Sequence, residues 1–217
     1  MSGELPSNTA RFALRVMNAQ DDTSAFQRWA RDARIMNPLN LPARQLTPQQ
    51  VTSYWTNSPN RTFLGIFDAA GHPVGFWDVE FDLLHASALI TIGIDPEYRG
   101  TSVVLETAIA LFDWLFDVKQ VEKISSFTLS TNRQIRTLMK WGGFKEEALL
   151  KRELKSLTGG AARLDQVRLG LLPEDWKPAR ENLRAVIARK NTLRAARQSD
   201  QDNQSAQDNK KESTPHV

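Results

Sequence analysis

The sequence predicts an α/β domain built on a central mixed, mostly antiparallel sheet flanked by helices. Three observations carry that prediction. Strand and helix signals follow one another in the order β-α-α-β-β-β-α-β-α-β-β between about residues 11 and 176. The stretch TIGIDPEYRGTSVV, residues 91–104, runs an apolar strand into a turn and straight on into a long apolar helix. With 217 residues and 41% apolar content, the chain can bury one sizeable core and needs no second domain.

Taken in order, residues 1–10 carry no periodicity and are expected to be a flexible N-terminus. ARFALRVMN alternates Phe12, Leu14 and Val16 against Ala13, Arg15 and Met17, a first strand with one buried face. Asp21-Asp22-Thr23 opens a helix over about residues 24 to 33, with Phe26, Trp29 and Ala30 inward. Pro38 and Pro42 mark residues 36–46 as an ordered loop, and Thr47-Pro48 starts a second helix that ends before Pro59. TFLGIF and VGFWDVEF form a hairpin about Ala70-Gly71, and a strand from about Ala88 to Ile94 leads into the turn.

Pro96 cannot donate to a sheet ladder and ends that strand. The helix that follows sets Leu105, Ala108, Ile109, Phe112, Leu115 and Phe116 at helical spacing, the stripe of a buried crossover helix. Its N-terminus, at Arg99, Gly100, Thr101, Ser102, Val103 and Val104, presents backbone N–H groups suited to an anion such as a pyrophosphate. VEKISSFTLS is the next strand, Thr131-Asn132 begins a helix, and Gly142-Gly143 stops it. ALLKRELKS and DQVRLGLL close the sheet around Thr158-Gly159-Gly160.

Beyond Trp176 the character changes. Residues 177–197 read as a basic helix, with Arg180, Arg184, Arg189, Lys190, Arg194 and Arg197 against Glu181. A nucleic-acid or ribosome contact is one reading of that charge; the other packs Leu183 and Ile187 on the domain. Residues 198–217 are almost wholly polar and predict a disordered tail.

The chain has no cysteine, which excludes thiolate metal sites and a cysteine nucleophile, and its three histidines lack metal-ligand spacing, so no metal is expected. No leader pattern and no apolar run of about 18 residues occurs, so the expectation is a cytoplasmic protein without membrane contact. A formal charge of +3 is too modest to signal nucleic-acid binding.

STNRQIRTLMKWGGFKEEALL resembles the helix-to-strand motif of the GNAT acyl-CoA N-acyltransferases, with Asn132 opening the helix and Gly143-Phe144 closing it. Together with the strand-turn-helix at 91–104, and with Leu149, Arg152, Asp165, Leu171-Leu172 and Glu174-Asp175-Trp176, the pattern is similar to the ribosomal-protein and aminoglycoside N-acetyltransferase branch, the first of these closest. The resemblance covers about residues 11 to 176 and implies the GNAT fold, whose splayed strand pair binds acetyl-CoA. It also implies transfer of the acetyl group to a primary amine by direct attack. The acceptor could be a protein N-terminus, an amino sugar or a small amine, and a homodimer is compatible with it. The alternative is a GNAT-fold binding or assembly module in which transfer is weakened or lost.

On this resemblance Ile92 and Ile94 supply backbone to pantetheine, residues 99–104 hold the pyrophosphate, and Asn132 helps hold the pantetheine arm. Ser102 and Val104 stand where the family has glycine or alanine; the Ser102 hydroxyl is available to a phosphate, whereas Val104 narrows the entrance. Met139 takes the place of a Tyr acid common in relatives, and Ala88 that of an acid some use. Glu80, Asp78 and His85 remain as bases, with Glu80 preferred, and Ser130 as the acid toward the thiolate. Trp77 and Trp55 are expected to line the acceptor cleft, while Trp29, Trp114 and Trp176 pack.

Overall fold

The computed structural model of the chain describes residues 9, 11–99, 102–160 and 163–212, with residues 193–212 as backbone alone. Seven strands form one sheet: β1 (Phe12–Val16), β2 (Arg61–Asp68), β3 (Pro73–Asp82), β4 (Ser87–Ile94), β5 (Lys123–Leu129), β6 (Lys145–Lys155) and β7 (Arg163–Leu171), in the spatial order β1-β2-β3-β4-β5-β7-β6. Every neighbouring pair is antiparallel except β4 and β5, which run parallel.

Helices cover both faces because both faces of β2 and β3 are apolar. On one side α1 (Ser24–Arg31), α2 (Ala33–Met36) and α3 (Pro48–Thr56) bury Phe26, Trp29, Ile35, Met36, Val51 and Trp55 against Met17 and Phe63. On the other, α4 (Val103–Asp113) and its π-helical continuation Trp114–Val118 bury Leu111, Phe112 and Leu115 against Leu64, Ile66, Trp77 and Val79. α5 (Arg133–Trp141) adds Met139 and α6 (Pro173–Glu212) adds Trp176 and Leu183 to this second core.

The 36–46 segment is not loop throughout: α2 and a 3₁₀ turn (Asn37–Leu39) fold up, α2 capped by Asp32, whose carboxylate accepts from the Arg34 N–H. α3 starts as the Thr47-Pro48 pair suggested, in a capping box between Thr47 and Gln50. α5 ends where Gly143 takes φ +89°, a conformation costly for any residue with a Cβ, and an added Cβ would also sit 2.9 Å from the Ala179 Cβ.

α6 begins at Pro173, ahead of the helix expected from 177, and its backbone stays helical through the polar stretch to Glu212 where the sequence suggested disorder. No glycine occurs there, and no proline between Pro178 and Pro215, so nothing in the stretch itself interrupts a helix already nucleated on the domain. That nucleus is packed: Trp176, Ala179 and Leu183 are buried, Ile187 lies against the same core, and Arg180 pairs with Asp113 at 3.2 Å.

Candidate active site

The parallel pair β4–β5 is held over three positions only, Ser87 to Leu89 against Lys123 to Ser125. One step further, the Ser126 hydroxyl donates to the Ile90 carbonyl at 3.0 Å, and beyond it the two strands are no longer paired. In an extended strand the N–H and C=O of one residue point to one side, and the side alternates along the chain. Ile90 turns its carbonyl toward β5, and the Asp95 N–H donates to Val74 at the start of β3. Ile92 and Ile94 therefore aim their backbone groups into the gap.

Two clefts meet at this gap, and Ile92 and Ile135 line both. The first, of about 510 Å³, is bounded by Gly93 and Ile94, by Val103 to Leu105 at the start of α4, and by Arg133, Gln134 and Leu138 of α5. Arg99, Arg133 and Lys190 give this cleft three cations. The second cleft, of about 700 Å³, opens on the α1–α3 side, where Trp29, Tyr54, Trp55, Phe63 and Phe76 form an aromatic wall and Ser126 to Leu129 with Met139 form the opposite one. The aromatic rings interlock, with Phe26 edge-on to Trp29 and Trp55, and Phe63 stacked on Phe76 at 5.1 Å.

The start of α4 is fixed from behind. Arg11 reaches across from the approach to β1 and donates from Nε to Glu106 at 3.1 Å, and also to Ser102 and Glu106 from its terminal nitrogen. The Ser102 hydroxyl donates to Glu106 at 2.8 Å. Ser102 is thus buried in an internal ionic cluster and its hydroxyl is turned away from the cleft, which corrects the expectation that it serves a phosphate. Glu106 is buried but paired, and an acid in the first turn is favoured by the helix dipole. Gly100 and Thr101 lie outside the described residues.

Other expected site residues fall elsewhere. Trp77 does not line the acceptor cleft: it is fully buried on the opposite face, its indole N–H donating to Thr107 at 3.0 Å. Phe76, one residue earlier, takes the cleft side. Trp55 does line the cleft, and its Nε1 is buried without a partner. Glu80 is exposed, within 3.5 Å of Arg61, and lines neither cleft. Ser130 also lines neither; its N–H donates to Asp165 and its carbonyl accepts from Arg136. Asn132 spends its side-chain oxygen capping α5, accepting from the Ile135 N–H at 3.3 Å. His85 is an exposed turn residue whose N–H donates to Asp82.

The carboxylate that the site does place is Asp78. It is buried on the same face of β3 as Phe76, and accepts from the Tyr54 hydroxyl at 2.6 Å. Arg61 Nε stands 3.2 Å from its other oxygen without the alignment of a hydrogen bond. Burial pushes the Asp78 carboxyl above its ordinary range despite Tyr54 and Arg61, and burial together with the Asp78 charge raises the Tyr54 phenol. Asp78 is set back from both clefts, while Tyr54 lines the aromatic one. Among the candidate bases read from the sequence Asp78 stood behind Glu80, and Tyr54 was not one of them. The signal available was Asp78 interrupting the apolar run Val74 to Val79.

Residues 11–145 match the family model described as an acetyltransferase (GNAT) domain. The chain belongs to the GNAT acetyltransferase family. Spermidine N-acetyltransferase from Vibrio cholerae, solved with CoA and spermine, superposes with a TM-score of 0.68 at 19% identity, over 76% of this chain and 97% of that one. The GNAT-family acetyltransferase from Bacillus anthracis superposes with a TM-score of 0.66 at 15% identity, over 77% and 98%. At such identities the likeness is one of fold. No curated protein matches the sequence significantly. In this GNAT chain no helix among the described residues is long and apolar enough to cross a membrane.

Proposed function

We propose that the protein is an acetyl-CoA-dependent N-acetyltransferase that passes the acetyl group to a primary amine by direct attack. The observation that carries this reading is the gap itself. Strands that part after three pairs leave the Ile92 and Ile94 backbone free to hydrogen-bond an amide-bearing pantetheine, and the start of α4 with Arg99 and Arg133 stands where its phosphates would lie. The family membership and the CoA in the Vibrio cholerae neighbour support the same donor.

Acetyl-CoA supplies an activated acyl group, so the chain has to align an amine with it and take up a proton. The aromatic and cationic clefts share Ile35, Leu39, Ile92 and Ile135, so an amine held in one can reach the carbonyl carbon of a thioester held in the other. As the C–N bond forms and the C–S bond breaks, the proton leaving nitrogen passes to the Tyr54 oxygen, whose own proton moves to Asp78 along the existing 2.6 Å hydrogen bond. The thiolate takes a proton from solvent. Asp78, held more basic than usual by burial, is suited to that role.

The test is calorimetric titration with acetyl-CoA, followed by release of free thiol across a panel of amines. Arg133→Ala should weaken donor binding about ten-fold, the worth of one charge-assisted hydrogen bond. Absence of both heat and thermal shift at millimolar acetyl-CoA would overturn the donor reading. A GNAT-fold binding module is the second reading. It is favoured by Val104, whose branched side chain stands in the wall of the cationic cleft, and it predicts no thiol release with any amine.

A further inference from the structure

Two features of the aromatic cleft bear on what it accepts. Its lining is dominated by side chains such as Phe26, Ile35, Leu39, Val51, Phe76 and Leu154, so a bound molecule exchanges water for hydrocarbon over most of its surface. Among the described residues that line it there is no Asp or Glu, and the one charged side chain is Arg44, which forms no ion pair. Two carboxylates lie behind the wall and are already engaged, Asp95 by the Trp29 indole N–H at 2.7 Å and Asp78 by Tyr54. A polyamine in this cleft would have to shed the hydration of several ammonium groups with no carboxylate to receive them, beside a guanidinium that repels them.

Building on the acetyltransferase reading, we infer that the acceptor is a monoamine carried on an aromatic or aliphatic body. The body fills the space between the aromatic wall and Leu129, Met139 and Leu154. The single amine points to the gap beside Ile92, where only one charge needs to be relieved, by loss of its proton. The cleft's volume of about 700 Å³ accommodates a molecule of one or two rings.

The experiment titrates the full-length protein with phenethylamine, 4-methoxyphenethylamine and spermidine, each with and without saturating CoA, by calorimetry. Arylalkylamine binding at least ten-fold tighter than spermidine is expected. Spermidine binding as tightly as the arylalkylamines, or no binding of either arylalkylamine at ten times the concentration used for spermidine, would overturn the inference. Acetyl-CoA titrated alone reports separately on the donor: a protein that binds acetyl-CoA and prefers spermidine loses only the acceptor assignment. One that binds the arylalkylamines but no acetyl-CoA loses only the transferase reading.

Discussion

Gly93 sits on β4 inside the gap, opposite Phe76 in the β3–β4 register, and the Phe76 ring lies flat over the place a Cβ would occupy. A methyl built there would stand 2.5 Å from Phe76 Cζ and 3.1 Å from Cδ1, with Cε1 nearer still. The ring has to move, and it is wedged against Phe63 at 5.1 Å, Phe26 at 5.6 Å and Trp29 at 6.1 Å. Gly93→Ala should therefore behave as an overpacking mutation, costing about 1–3 kcal/mol. For a chain of this size each kcal/mol lowers Tm by roughly 2–4 °C. Phe76→Ala, which removes a half-buried ring, should cost about 2–3 kcal/mol, below the ~3–5 of a fully buried phenylalanine. If the clash is the cause, the double variant should be more stable than the sum of the two, by about 1 kcal/mol or more, because the alanine methyl then occupies vacated space. Urea melts of the four proteins, compared at constant m, measure this directly. Strict additivity would refute the reasoning and put the cost of Gly93→Ala in the strand backbone instead.

Two further predictions concern ionisation. At Asp95, burial opposes ionisation, but the Trp29 indole N–H, the Glu97 N–H and Arg28 together outweigh it and hold the carboxyl below its ordinary value; the stability this gives is fully present above the unfolded-state carboxyl range near pH 4 and is lost as pH falls through the depressed folded value, so Asp95→Asn should be destabilised at neutral pH and lose less stability than the parent below pH 4 in denaturant titrations. At Asp78 the shift is upward, so with Asp78 as the proposed proton acceptor turnover is expected to be full only above that raised value; Asp78→Asn and Tyr54→Phe should each lower kcat by about 10²-fold and remove the acidic limb of the pH–rate profile with acetyl-CoA affinity kept, and an unchanged limb would exclude the pair as proton acceptor.

Much of the fold was legible because its signals are local. Thr47-Pro48, Gly142-Gly143 and the apolar stripe from Leu105 to Phe116 each state their own element, whereas Ile92 and Ile94 came from the family resemblance alone. What failed needed knowledge of faces and of distant partners. In GFWDV both faces are apolar, so alternation places Phe76 and Trp77 on opposite sides without saying which side carries the cleft. The same blindness ranked Asp78 behind Glu80: its burial depends on Tyr54, 24 residues away on a helix, and on Arg61 in the neighbouring strand. Ser102 was read from its position in a loop motif, whereas its hydroxyl is committed to Arg11 and Glu106, the first of them 91 residues distant.

That commitment also explains how the start of α4 can carry a serine where its family has glycine. A Cβ in a phosphate cradle is harmful when it stands between backbone and ligand. Here the Ser102 side chain is drawn to the core side by the Arg11–Glu106 pair, so the backbone that follows is left uncovered by it on the side of the cationic cleft. The pair gives α4 a fixed starting point as well: a buried carboxylate in the first turn, saturated by a serine hydroxyl and a guanidinium, ties the helix to the edge strand β1 and so holds its N-terminus at one position relative to β4. Val104 has no such arrangement; its side chain remains in the cleft wall. Of the two departures from the family's pattern, Ser102 is therefore absorbed by the scaffold, and the burden of any loss in donor affinity falls on Val104.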